Sequence, residues 1–187
     1  MISEDTSLTE LAIFVSEALE KAGIVATLSG GAAVSIYSAN RYLSEDLDFV
    51  TTALVDDLER ALSPLGFVRK GRPRLSVFEH PLTAWYLEFP PGPLGFGSTY
   101  VDPSQCTVRE TSVGRLRIIT PTHSVMDRLI AAVVWSEPQS LEQAVLVAIE
   151  QSKNIDWSAL ASWLKKEGIE IAPEVRLFLE RTATVRT

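Results

Sequence analysis

One cysteine, two histidines and no long apolar run narrow what this chain can be. Cys106 has no partner for an internal disulfide and no recognisable base beside it, so neither a disulfide scaffold nor a thiol nucleophile is expected. His80 and His123 stand far from any second histidine or cysteine at ligand spacing, which argues against zinc. The longer apolar stretches, such as 129–135, fall well short of the roughly 18 residues that a spanning helix requires, so no membrane partner is expected. No N-terminal stretch joins a basic start to an apolar run and a small-residue cleavage site, and a cytoplasmic location is expected. Basic charge is also short: the net charge of -7 excludes a protein that coats nucleic acid through a generally basic surface.

What is present is ordinary globular composition, with 46% hydrophobic and 22% charged residues over 187 positions, enough for one sizeable domain or two small ones. One local exception to the acidic balance stands out. Arg69, Lys70, Arg72 and Arg74 fall close together around Gly71 and Pro73, and form either a phosphate-contacting loop or a solvated connection between strands.

Periodicity divides the chain into a mixed α/β part and a helical part. Leu8, Leu11, Ala12, Val15, Leu19 and Ala22 fall at helical spacing after Thr6 or Ser7 as cap, and Gly23 ends that helix. Residues 24–28 form a branched apolar run that reads as a buried strand, followed by a Ser29-Gly30-Gly31 turn and a small-residue helix over 32–38. Strands are predicted at 47–51, 67–70, 75–79, 85–89 and 115–119, with a helix over 55–65. The prolines at 90, 91 and 93 stop the 85–89 strand, and the 92–97 stretch reads as a rigid turn. Beyond residue 120 only helices are predicted, at 125–135, 138–152, 157–167 and 173–182. Trp157 and Trp163 lie on one of them and read as packing residues. The expected organisation is therefore an α/β domain over 1–120 and a helical C-terminal domain over 121–187 packed on it.

The segment richest in chemistry is Ser44-Glu45-Asp46-Leu47-Asp48-Phe49. Residues two apart on a strand share a face, so Asp46 and Asp48 point the same way while Leu47 and Phe49 face the core and fix the register. Mg²⁺ or Mn²⁺ takes one or two carboxylates together with phosphate oxygens and water, which is what such a pair can supply. Upstream, the Gly30-Gly31 turn lets backbone N–H groups approach a phosphate closely, and the helix N-terminus behind it adds favourable partial charge. Metal and phosphate would then be held side by side.

These residues resemble a known signature. Leu28-Ser29-Gly30-Gly31-Ala32-Ala33 followed by Arg41-Tyr42-Leu43-Ser44-Glu45-Asp46-Leu47-Asp48-Phe49 is similar to the motif of the DNA polymerase β-like nucleotidyltransferase superfamily. The Glu-Asp-Leu-Asp run with its preceding arginine and serine resembles most the AbiEii-type bacterial nucleotidyltransferase toxins. Thr120-Pro121, Asp127-Arg128-Leu129 and Gln139-Ser140-Leu141-Glu142-Gln143-Ala144 resemble uncharacterised bacterial members and extend the likeness over most of the chain.

The resemblance implies an α+β fold, a small mixed sheet flanked by helices and followed by a C-terminal helical bundle. It implies that Asp46 and Asp48 hold Mg²⁺ or Mn²⁺, and that a third carboxylate comes from a later strand, for which Glu88 is the candidate. Ser29, Gly30, Gly31, Arg41 and Ser44 would bind the nucleotide. The implied reaction moves a nucleoside monophosphate from a nucleoside triphosphate to a hydroxyl on RNA or protein, in a toxin-like role with a cognate antitoxin-like protein. At the position where AbiEii-type toxins carry a lysine in the helix after the sheet, this chain has Asp127-Arg128, and arginine differs from lysine in geometry and reach. Two other readings stay open: an inactive binding or regulatory module of the same fold, and a modifier of cationic small molecules, which would need a deep acidic pocket near Glu88.

Overall fold

A computed structural model describes residues 2–71 and 77–186. Arg72, Arg74 and the start of the strand expected at 75–79 lie outside the described residues. The chain forms two compact units: Met1–Ala32, Ser44–Leu94 and Val101–Ile119 make the first, and Ala33–Leu43, Gly95–Tyr100 and Thr120–Thr187 the second.

The first unit opens with α1 (Leu8–Lys21). Ser7 caps it in a reciprocal box with Glu10, satisfying two backbone donors that would otherwise lack partners. A mixed sheet follows, built from β1 (Ala26–Ser29), β2 (Asp46–Thr51), β3 (Val68–Lys70), β4 (Val77–Glu79), β5 (Tyr86–Glu88), β8 (Thr107–Thr111) and β9 (Gly114–Ile118). Its strand order is β3-β4-β5-β2-β1-β9-β8. The central strands β1 and β2 run antiparallel, and β2 and β5 run parallel. A second helix of this unit, α3 (Val55–Leu62), packs with α1. Leu28, Leu47, Phe49, Phe78, Leu87, Leu116 and Ile118 are fully or almost fully buried and supply much of the core. Phe89 extends that layer, stacked on Phe49 at 6.2 Å between centroids and edge-on to Phe78 at 5.4 Å.

The alternation within β2 is the feature that positions the site. Leu47 and Phe49 are buried to 0% exposure, which commits that face to the core and turns Asp46 and Asp48 to the other.

In the second unit, α4 (Pro121–Val134) and α5 (Pro138–Glu150) pack together and α7 (Pro173–Arg181) lies against both. Thr120 caps α4 by accepting from the His123 amide at 3.1 Å, and Asp156 caps α6 (Trp157–Glu167) by accepting from the Ala159 amide at 2.8 Å. A small hairpin of β6 (Gly95–Phe96) and β7 (Thr99–Tyr100) is tied to α6. The Trp163 indole donates to the Phe96 carbonyl, and Glu167 accepts from the Ser98 amide and from the Ser98 and Thr99 hydroxyls.

Several expectations need correction. The rigid turn expected over 92–97 gives way at Gly95 to that hairpin, whose register the turn at Gly97 and Ser98 allows. Helix α4 starts at Pro121 rather than 125, because proline at the first helical position needs no donor and Thr120 caps it. Strand β8 was not expected at all. Only one of its five residues, Val108, is a large apolar one, so the hydrophobic pattern is silent, while Thr107 and Thr111 carry the weaker β-branched signal. Strand β1 starts two residues later and ends one residue later than the apolar run at 24–28, and Gly30 itself opens α2 (Gly30–Tyr37) without an intervening turn residue.

Candidate active site

In-register pairing carries the acidic face of β2 across the sheet. Asp46 stands opposite Tyr86 and Asp48 opposite Glu88 on the parallel strand β5. Directly paired residues share a face, so Asp46, Asp48, Tyr86 and Glu88 lie together on the face opposite the Leu47–Leu87 core layer. Asp46, Asp48 and Glu88 each offer one carboxylate oxygen within 4.8 Å of the other two, and all three are partly exposed. Among the described residues this is the one group of three metal-ligating side chains with that geometry. Three hard oxygens from two rigid strands, open on one side, fit a divalent cation that keeps positions for water or phosphate.

The clustered carboxylates shift the proton affinity of their neighbours. Burial, then the neighbouring Asp46 carboxylate, pushes Glu88 above its ordinary value. Burial also raises the Tyr86 phenol, and Asp46, Glu88, Glu45 and Asp48 add to the effect in that order. Four carboxylates thus act on one phenol.

Gly30 explains its own identity. Its φ of 61° is left-handed, and a Cβ there would overlap Asp48 Oδ2. Ser29 is the register partner of Asp48 on β1, so the end of β1, the glycine that opens α2 and the second aspartate meet at one point. Ser44 is buried, donates its hydroxyl to Asp46 Oδ1 at 2.9 Å and accepts from the Trp85 indole through its carbonyl at 3.1 Å. Trp85 precedes β5, partly exposed, with its indole spent on that hydrogen bond. No periodicity in the sequence signals such a contact, because it joins side chain to backbone across 41 positions.

The other candidates are placed differently. Arg41 belongs to the second unit and pairs there with Glu150. Arg128 donates to Asp127 at 2.7 and 2.9 Å and to Gln143 at 3.2 Å, a largely buried network between α4 and α5. The basic segment splits by strand parity. Arg69 is the register partner of Phe78, hence on the helix-covered face, where it approaches Asp56 and Glu59 of α3 at 3.8 Å. Lys70 pairs with Val77, which pairs with Glu88, so Lys70 is exposed on the same face as the carboxylates, two strands away. A cavity of about 600 Å³ lies at the opposite end of β1 and β2, lined by Gly23, Val25, Thr51 and Arg60 among others; the carboxylate trio does not line it.

The α+β fold, a small mixed sheet flanked by helices, matches nucleotidyltransferase-like folds. The chain is similar over 96% of its length to 94% of an antigenic nucleotidyltransferase-like protein from Paracoccidioides brasiliensis, at 17% identity and a TM-score of 0.58. It is similar over 96% of its length to 88% of JHP933 from Helicobacter pylori, at 17% identity and a TM-score of 0.55. It also resembles ANT(2'')-Ia in complex with adenylyl-2''-tobramycin, over 93% of this chain and 97% of that one, at 14% identity and a TM-score of 0.50. No family model and no curated protein matches the chain.

Proposed function

We propose that the protein is a metal-dependent nucleotidyltransferase that moves a nucleoside monophosphate from a nucleoside triphosphate to a hydroxyl acceptor. The observation that carries this reading is the convergence of Asp46, Asp48 and Glu88 within 4.8 Å on one open sheet face. Mg²⁺ or Mn²⁺ held there would supply positive charge to offset the negative charge that develops on the leaving pyrophosphate. Asp46 and Asp48 are its ligands. Glu88, whose proton affinity is raised by burial and by Asp46, takes the proton of the acceptor hydroxyl as that oxygen bonds to the α-phosphorus and the bond from the α-phosphorus to the bridging oxygen breaks. Ser29, Gly30 and Gly31 place backbone at the phosphates, and Arg41 is the cation assigned to the nucleotide.

The sequence likeness to AbiEii-type toxins supports a toxin-like bacterial role, with RNA or protein as acceptor and a cognate antitoxin-like protein as partner. Lys70, exposed on the carboxylate face, favours a phosphate-bearing acceptor over a cationic small molecule. The 600 Å³ cavity lies away from Glu88 and so lends no support to a deep acidic pocket for such a molecule.

Calorimetric titration of each nucleoside triphosphate with Mg²⁺ or Mn²⁺ into the wild type and into Asp46→Ala/Asp48→Ala tests the reading. Metal-dependent binding of one or more nucleotides, lost in the double variant, is the expected result. Absence of binding by the folded wild type would refute it, and binding without transfer to bacterial RNA or protein would point to the regulatory module.

A further inference from the structure

The carboxylates of the site come from two strands, and a chain of hydrogen bonds ties those strands at the end where the carboxylates stand. The Trp85 indole, just ahead of β5, donates to the Ser44 carbonyl at 3.1 Å. The Ser44 hydroxyl, just ahead of β2, donates to Asp46 Oδ1 at 2.9 Å. Ser44 is only 4% exposed, so this hydroxyl is not free to exchange its partner for water. Across the strands Asp46 is the register partner of Tyr86, the residue after Trp85, so the chain of bonds closes on itself within one pair of neighbours.

We propose that Ser44 is a positioning residue, braced by Trp85, that engages Asp46 Oδ1 and thereby presents Asp46 to a divalent cation through its other oxygen alone. The inference rests on the metal-site reading above and deepens it. A carboxylate with one oxygen held by a buried hydroxyl is a one-oxygen ligand. Small cations that prefer near-octahedral geometry, Mg²⁺ and Mn²⁺, accept such ligands, whereas Ca²⁺ takes more oxygens and readily accepts both from one carboxylate. Ser44 then sets cation choice as well as affinity, and it does so without touching the cation. The family resemblance implies a nucleotide role for Ser44; its buried bond to Asp46 is what supports the positioning role.

The test uses Mn²⁺ alone and Ca²⁺ alone, titrated calorimetrically into the full chain, with thermal unfolding of each variant measured in chelator. Ser44→Ala is expected to bind Mn²⁺ about tenfold more weakly, in the range seen when an outer-sphere partner of a metal ligand is removed, and to lose much of its preference for Mn²⁺ over Ca²⁺. Ser44→Thr, which keeps the hydroxyl, restores both, and Trp85→Phe, which keeps the ring and loses the N–H, shifts both in the same direction by a smaller factor. An unchanged Mn²⁺ affinity and cation preference in Ser44→Ala would overturn the proposal. So would a parallel loss for both cations that merely tracks a lowered unfolding temperature. Asp48→Asn separates the two levels: if the wild type binds Mn²⁺ and Asp48→Asn does not, the metal site stands whatever Ser44 does, whereas a wild type that binds neither cation refutes site and positioning together.

Discussion

Glu88→Gln should make the protein more stable without metal and less stable with it. The carboxylate oxygens of Asp46, Asp48 and Glu88 lie within 4.8 Å of one another. Two like charges at that separation repel by about 1 kcal/mol in water-like surroundings and about 3 kcal/mol at the effective dielectric of a protein surface. The trio is partly exposed, so the lower figure applies, and neutralising Glu88 in chelator should raise the unfolding free energy by about 1 kcal/mol, or the unfolding temperature by about 2–4 °C for a chain of this size. Mn²⁺ at about a hundred times its dissociation constant stabilises the wild type by about 2.7 kcal/mol, and the variant, lacking one of the three carboxylate charges that attract the cation, should gain far less. The unfolding temperatures of the two proteins therefore cross between chelator and Mn²⁺. Differential scanning calorimetry with and without Mn²⁺ reads both halves. A variant that is less stable than wild type in chelator, or that gains as much from Mn²⁺, would refute the electrostatic reasoning.

The same group fixes a pH dependence. Burial and Asp46 raise Glu88 above 4.5 in the folded protein, so its stabilising contribution is complete below that value and is lost as pH rises through the raised one. In chelator, wild-type stability should fall over that window relative to Glu88→Gln; parallel pH profiles would contradict the assignment. Gly30→Ala forces a side chain into left-handed backbone, at a cost of about 1–2 kcal/mol, and into Asp48 Oδ2 besides, so urea unfolding should show at least that loss together with weakened Mn²⁺ binding. Arg41→Ala removes an exposed ion pair with Glu150, worth about 0–1 kcal/mol, and should leave the unfolding temperature almost unchanged while lowering nucleotide affinity; equal nucleotide affinity would remove Arg41 from the site. Glu167→Ala takes away the acceptor of the Ser98 amide, and hydrogen exchange at Ser98 should accelerate.

How much of this was legible in the sequence follows from the range of the interactions involved. The alternation of Asp46, Leu47, Asp48 and Phe49 is local, and two-residue periodicity alone assigns both faces of β2. Glu88 depended on the family likeness together with parity along β5, and the β2–β5 register places it beside Asp48. The Gly30 requirement was half visible. A glycine pair before a helix suggests close approach, but the carboxylate that approaches Gly30 comes from 18 residues downstream and belongs to the site itself. The bond from the Trp85 indole to the Ser44 carbonyl was beyond reach, since neither pattern nor propensity encodes a side-chain bond to a distant backbone carbonyl. The basic segment looked like a single patch in one dimension, yet strand alternation sends Arg69 to the acidic face of α3 and Lys70 to the carboxylate face. Strand β8 escaped because an exposed edge strand needs no apolar alternation.

The most direct measurement incubates the protein with Mg²⁺, a bacterial RNA and protein extract, and each nucleoside triphosphate labelled either at the α- or at the γ-phosphate. Covalent label from the α-phosphate alone, with pyrophosphate released and both lost in Asp46→Ala/Asp48→Ala, is the expected result. Label arriving from the γ-phosphate, or α-label transferred equally by the double variant, would contradict a nucleotidyl-transfer centre at Asp46, Asp48 and Glu88.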